Sequence, residues 1–248
     1  MTVMLKKLQQ KYARVKDEMV RWDELQSQLL SQFGNAASII TRLQVLNMDK
    51  NYDALEVLPG IKESLLGKQI ETLEMIFISM TELMKEFHRI VQSLDKIARD
   101  ANQLLREATP YQMQLCVGIQ PSLQQCLDGL NTFHKMHKSE FLLKSSILSS
   151  LMLKYFKCRS RTANRKQRGS GCCWLELMWA AMGENFSKLR WYAKGKEIEM
   201  QSFVVVSADD VATLRQLLVD QPNIPKDEVQ TIFDIILPKV ADDGLTGR

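Results

Sequence analysis

Residues 73–104 read LEMIFISMTELMKEFHRIVQSLDKIARDANQL, and their apolar positions decide the fold. Leu73, Ile76, Met80, Leu83, Phe87, Ile90, Leu94, Ile97, Ala101 and Leu104 follow one another at steps of three and four with no polar interruption. Because about 3.6 residues complete a helical turn, this spacing lines ten apolar side chains along one seam. Leu58-Pro59-Gly60 supplies a start signal upstream, since Pro lacks a backbone donor and Gly permits the turn, and Thr109-Pro110 supplies the stop. A helix is expected over about 61–105. At ~1.5 Å per residue it spans roughly 65 Å, longer than a small domain is wide, so part of it should meet a partner helix from this chain or another. Glu82, Lys85, Glu86 and Arg89 lie off the seam as a solvated face, with favourable i,i+3 pairs worth a few tenths of a kcal/mol each.

Working outward, Leu8, Tyr12, Val15, Met19, Trp22, Leu29 and Phe33 repeat the same steps, interrupted by Gln26, and predict a helix of about seven turns or more. Phe33-Gly34-Asn35 is expected to break or cap it before a shorter stripe, Ile39, Ile40, Leu43 and Leu46. On the other side, Pro121-Ser122 opens a helix carrying Leu123, Leu127, Leu130, His134, His137 and Phe141, with Ser122 as its N-cap. Two short helices follow, one from near Asp209 or Asp210 with Val211, Leu214, Leu217 and Leu218, and one opened by Lys226-Asp227-Glu228 and stopped at Pro238. The expected class is all-α, an elongated helical bundle or coiled-coil hairpin with short C-terminal helices. Thirteen Met against eleven Gly and six Pro agrees, because β folds consume Gly and Pro in their many connections.

Lysines at positions 6 and 7 interrupt any N-terminal apolar run, and no stretch approaches 18 apolar residues, so a soluble, non-secreted protein without a membrane span is expected. Five cysteines, two of them adjacent at Cys172 and Cys173, give no paired spacing of a disulfide framework and point to a reducing compartment. The formal charge of +4 hides a segregation: residues 154–206 hold eleven Lys and Arg against four Glu, and the remainder is net negative, with 22 basic and 25 acidic. That segment also holds three of the four Trp and three of the five Cys, without a sustained period. One reading is a nucleic-acid or import patch centred on Arg165-Lys166-Gln167-Arg168. The preferred reading is a basic, disordered insertion, as an alternative or misassigned exon would produce. The expected organisation is a long-helix bundle over 1–153, the insertion over 154–206, helices completing the bundle over 207–238, and a tail over 239–248.

No chemistry-bearing constellation emerges. Gly67-Lys68-Gln69 lacks the earlier Gly and the following Ser or Thr of a phosphate loop, and Gly169-Ser170-Gly171 lacks a third Gly and a preceding strand. His134 and His137, with Cys126 two turns earlier, could share a metal ion, but no CxxC or HExxH supplies the remaining ligands, and the edge of a packing seam is preferred. His88 reads as a boundary residue. Cys116 and Cys126 sit in apolar helical or pre-helical surroundings that favour inert thiols. Glu71 with Glu74, and Glu82 with Glu86, read as a wet helix face rather than acid/base pairs. No enzyme, no cofactor, and no catalytic, cofactor-binding or metal residue is expected; partner-contact residues are not identifiable from the sequence.

Three stretches carry a resemblance: Leu58-Pro59-Gly60-Ile61-Lys62-Glu63 leading to Lys68-Gln69, then Phe141-Leu142-Leu143-Lys144-Ser145-Ser146-Ile147, then Ile224-Pro225-Lys226-Asp227-Glu228-Val229. With the heptad helix between the first two, they resemble the AIRIM family, ribosome maturation factors that interact with the AFG-two class of AAA ATPases. The resemblance covers roughly residues 5–153 and 207–237 and leaves 154–206 without a counterpart. It implies a non-catalytic adaptor subunit that works with AFG-two-type ATPase subunits on the maturing large ribosomal subunit, in cytoplasm and nucleus, helping to release assembly factors. The alternatives are a coiled-coil tether of trafficking or cytoskeleton, which would share the long helix, and nucleic-acid binding through the basic residues 154–168. Direct contact with nucleic acid stays open at this point.

Overall fold

A computed structural model describes residues 2–52, 58–116, 120–162 and 208–237. Among them every regular element is helical: α1 (Thr2–Leu46), a 3-10 turn (Asp49–Asn51), α2 (Ile61–Leu104), α3 (Pro110–Gln114), α4 (Leu123–Thr162), α5 (Ala208–Asp220) and α6 (Lys226–Ile236). The protein is all-α, as its periodicity requires. Its described residues fall into two compact units. The first takes in the chain up to Glu24, His88–Leu142 and the residues from Gln221 on; the second takes in Leu25–Phe87 and Leu143–Asp220.

Several boundaries follow the sequence signals. Gly60 adopts φ +80°, a conformation only Gly takes without strain, and α2 begins at the next residue. Ser122 caps α4 in a reciprocal box: Gln125 N donates to Ser122 Oγ at 3.1 Å and Ser122 N donates to Gln125 Oε1 at 2.9 Å. Asp227 and Glu228 occupy the first turn of α6, where carboxylates meet the positive end of the helix dipole.

Three expectations change. Phe33-Gly34-Asn35 does not break α1, because Phe33, Ala36 and Ile40 carry the seam straight through it and all three are buried. A mid-helix Gly costs only about 1 kcal/mol relative to Ala, less than burying one large apolar side chain contributes. Thr109-Pro110 ends nothing by itself; it opens α3, with Thr109 and Gln112 forming a capping box. Finally, α4, described to Thr162, runs nine residues into the basic segment expected to begin at 154 as a disordered insertion. The rest of that segment and the tail from residue 238 lie outside the described residues.

The seam of α2 is also more specific than its heptads. Leu73, Met80, Phe87, Leu94 and Ala101, one per heptad, are all buried, but Ile76 and Leu83 are half-exposed and Phe77 and Met84 are buried in their place. In the first unit the stripe widens to include both Ile90 and Val91, and both Ile97 and Ala98. A broad stripe is what a helix needs when several neighbours cover it, whereas a narrow seam suits a two-stranded coil.

In the second unit, Leu29, Phe33, Leu73, Met80, Met84, Leu148 and Leu151 are among the fully buried apolar residues. Gln26, the polar interruption of the α1 seam, is buried there too, and its Nε2 donates to the Leu218 carbonyl of α5. Among residues 209–220 of α5, Leu218 is the one that is itself buried. Lys144 is fully buried, with Nζ 5.7 Å from the centroid of the Phe87 ring. Between α1 and α2, Tyr52 Oη donates to the Leu46 carbonyl at 2.8 Å, and Lys62 Nζ lies 5.5 Å over the Tyr52 ring.

Candidate functional site

Among the described residues, polar and aromatic groups cluster in the first unit, around the turn between α5 and α6. Gln221, just after α5, adopts φ +44°, a left-handed conformation that is disfavoured for a residue with a Cβ, and its carbonyl accepts from Ile224 N at 2.9 Å. Two buried side chains from other helices hold this turn. Trp22 of α1 donates Nε1–H to Gln221 Oε1 at 2.8 Å. Glu140 of α4, fully buried, accepts at one oxygen from Asn223 N at 3.2 Å and Asn223 Nδ2 at 3.1 Å. A buried carboxylate persists only when such donors replace its water.

The clasp turns the chain so that α6 lies against α1 and α4. Phe233 of α6 stacks at a tilt on Phe133 with centroids 4.9 Å apart, and Tyr12 meets both rings edge-on at 6.2 and 6.3 Å. Tyr12 Oη donates to the Cys126 carbonyl at 2.7 Å. Room for that hydroxyl is made by Gly129: a Cβ there would overlap Tyr12 Oη and press on Ile232 and Ile236 at 3.0 and 3.2 Å. Burial pushes the Tyr12 hydroxyl well above the ordinary phenol range, so it stays a neutral donor.

The three residues weighed as a metal set go to separate partners. His137 is buried, with Nδ1 2.8 Å from the Phe133 carbonyl and its ring edge-on to Trp22 at 4.7 Å. His134 is partly exposed, 3.8 Å from Asp95; burial lowers its pKa, opposed by the Asp95 charge and reinforced by Lys138 and Arg99. Cys126 is buried and free, and burial pushes its thiol up to about 11, which keeps it protonated and unreactive. Among the described residues no group of three or more His, Cys, Asp or Glu could hold a metal ion.

His88 sits at a boundary, 5.2 Å from the Phe141 ring. Cys116, expected in apolar surroundings, is instead exposed just after α3. Gly67-Lys68-Gln69 lies inside α2, where backbone amides are committed to the helix and cannot cradle a phosphate. Glu82 pairs with Lys85 at 2.7 Å on an exposed face, and Glu71 is exposed. Arg165-Lys166-Gln167-Arg168, Gly169-Ser170-Gly171, Cys172 and Cys173 lie outside the described residues.

The sequence places Trp22 in the apolar seam of α1 but gives no sign of its hydrogen bond, and it does not single out Glu140, Gln221 or Asn223. Two signals were there: Glu140 is the only acidic residue between 131 and 162, and Gly129 interrupts an otherwise strong helical pattern. The arrangement fixes one helix against two others. It brings together no nucleophile with a base.

The family described as CA109-like, ribosome biogenesis protein C1orf109-like, matches the chain over residues 2–168. C1orf109 is AIRIM, so two of the three resembling stretches fall inside the matched range, and the third, at 224–229, falls beyond it. The match runs fifteen residues into the basic segment, through Arg168. No curated protein matches the chain.

Proposed function

The chain belongs to the C1orf109-like family of ribosome biogenesis proteins, and from that premise we propose that it acts as a non-catalytic adaptor in maturation of the large ribosomal subunit. Its partners in this reading are AFG-two-type AAA ATPase subunits and the pre-ribosomal large subunit, and its places of action are nucleus and cytoplasm. The family match over 2–168 carries the proposal. In this reading the ATPase subunits would supply the hydrolysis. No described helix is long and apolar enough to cross a membrane.

Affinity purification of the tagged full chain from nuclear and cytoplasmic extracts tests the proposal. An AFG-two-type ATPase and large-subunit precursors are expected in the eluate. Recovery of neither overturns the adaptor reading, and recovery on vesicles or filaments would favour a coiled-coil tether.

A further inference from the structure

The edge of the first unit where α1 lies beside α2 carries cations that the packing of the two helices does not use. Ser93 Oγ donates to Glu18 Oε1 at 2.6 Å, and Lys11 Nζ lies 3.8 Å from Asp100 Oδ2. These two contacts run the helices antiparallel along a shared edge. Arg14 follows Lys11 by three residues and Lys96 follows Ser93 by three, so both fall between the contacts, within about 1.5 Å of one level along the helix axes. Both are exposed, as is Lys7 one turn before Lys11, and none of the three has an ion-pair partner among the described residues. Arg21 and Arg89, also exposed, continue the edge beyond Glu18 and Ser93. Residues 2–16 contain five Lys and Arg and no Asp or Glu. The carboxylates near this edge are Glu18, engaged by Ser93 and Arg21, Asp100 beside Lys11, and exposed Asp17. Like charges at one level across a helix pair oppose folding, whereas Lys11 and Asp100 show the opposite-sign pairing that the same edge admits.

We infer that Lys7, Arg14 and Lys96 form a contact face for the phosphate backbone of RNA. Packed helices have axes about 8–10 Å apart, so a phosphate set over the edge can accept from both Arg14 and Lys96. Lys7, ~10.5 Å along α1 from Arg14, reaches a further phosphate of the same strand. Gln10, exposed between Lys7 and Arg14, can donate to phosphate or sugar oxygens. Among residues 6–19 and 89–100 no large apolar side chain is exposed, whereas a protein partner would be anchored mainly by such side chains. Contact of this kind is independent of base sequence and salt-sensitive, because each phosphate neutralised releases counterions. The inference rests on the proposed role in ribosome biogenesis for the identity of its RNA, the ribosomal RNA of the precursor, but not for the binding itself.

The test uses the full chain and a fluorescein-labelled single-stranded 20-mer RNA, read by anisotropy across a salt series and by acetylation footprinting of lysines in the complex. RNA should protect Lys7 and Lys96 at least fivefold and leave Lys16 and Lys135, exposed on other flanks, within twofold of the free protein. K7Q/R14Q/K96Q should weaken binding at least tenfold at 150 mM salt and flatten the slope of log K against log salt by about 2, as expected for three lost phosphate contacts. The charge-matched K16Q/K135Q/K138Q should change affinity less than twofold, and D17N, which removes an exposed carboxylate one turn from Arg14, should tighten binding about twofold. Urea melts establish that the triple variants are folded, and the footprint on the unsubstituted chain does not depend on them. Equal losses for the two triple variants, or no protection of Lys7 and Lys96 above that of Lys16 and Lys135, overturn the proposal. So does equal protection of Lys7 and Lys96 by a poly-glutamate peptide, which would make the face an acidic-peptide site. Footprint and affinity purification are read separately: absent protection with pre-ribosome recovery intact overturns this face and leaves the adaptor reading standing, and the reverse result removes the adaptor reading alone.

Discussion

The two units solve the burial of polar groups in opposite ways. In the first, Tyr12, Trp22 and Glu140 are buried and each is matched to a named partner: the Cys126 carbonyl, Gln221 and Asn223. In the second, four buried side-chain atoms among the described residues have no hydrogen-bond partner in the protein: Gln26 Oε1, Gln69 Oε1, Ser145 Oγ and Ser149 Oγ. Among the described residues of the first unit, His88 Nδ1 is the single such atom. A matched buried group specifies one geometry, while an unmatched one costs about 1–3 kcal/mol and specifies nothing. The first unit is therefore expected to be intolerant of change, and the second to have stability in reserve.

The largest expected effect is Gly129→Ala. The new Cβ must displace the Tyr12 hydroxyl and the α6 side chains beside it, and a net loss of about 2–3 kcal/mol is expected despite the better helix propensity of Ala. Tyr12→Phe removes the atom that the Cβ meets, so the double variant should be less destabilised than the two single losses added together. Urea melts of the four proteins measure this coupling, and strict additivity would show that the two residues do not interlock.

Next comes Glu140→Ala, which removes the acceptor for both Asn223 donors and should cost about 2 kcal/mol. Glu140→Gln keeps one acceptor oxygen and should cost less. Hydrogen exchange would show the difference locally, with faster exchange of the Asn223 amide in the Ala variant. Equal protection in the two variants would dissolve the clasp.

In the second unit, Ser145→Ala and Ser149→Ala should each stabilise by about 0.5–1 kcal/mol, since each removes an unmatched buried hydroxyl and improves helix propensity. Thermal melts decide this. Destabilisation as large as that of Gly129→Ala would erase the contrast between the units.

The smallest effect is a pH dependence in the first unit. Burial lowers the folded-state pKa of His134 below 6.5, so protonation favours the unfolded chain, and stability should fall as pH drops through 6.5 toward the lower folded value. His134→Gln should flatten the profile of melting temperature between pH 7.5 and 5.5. A steeper profile in the variant would reverse the sign assigned to His134.

Much of this was legible in residue order, because helical periodicity and capping chemistry are local. The run from Leu73 to Leu104, the turn at Gly60, the Ser122 cap and the acidic start of α6 all follow from interactions spanning a few residues. The clasp was not legible, because the hydrogen bond from Trp22 to Gln221 spans 199 positions and that from Asn223 to Glu140 spans 83. The isolation of Glu140 among residues 131–162 and the Gly at 129 mark two positions, but the partners that give them meaning are distant in the chain.

The same division holds within the α2 seam. Sequence alone determined that α2 is a helix with an apolar stripe, since a period of three and four admits no other regular structure. Only the tertiary structure decided that Phe77 and Met84, not Ile76 and Leu83, are buried. All four are apolar and adjacent around the helix, so the choice belongs to the neighbours that cover it. It likewise carried α1 through Gly34, where packing outweighs propensity, and α4 onward to Thr162.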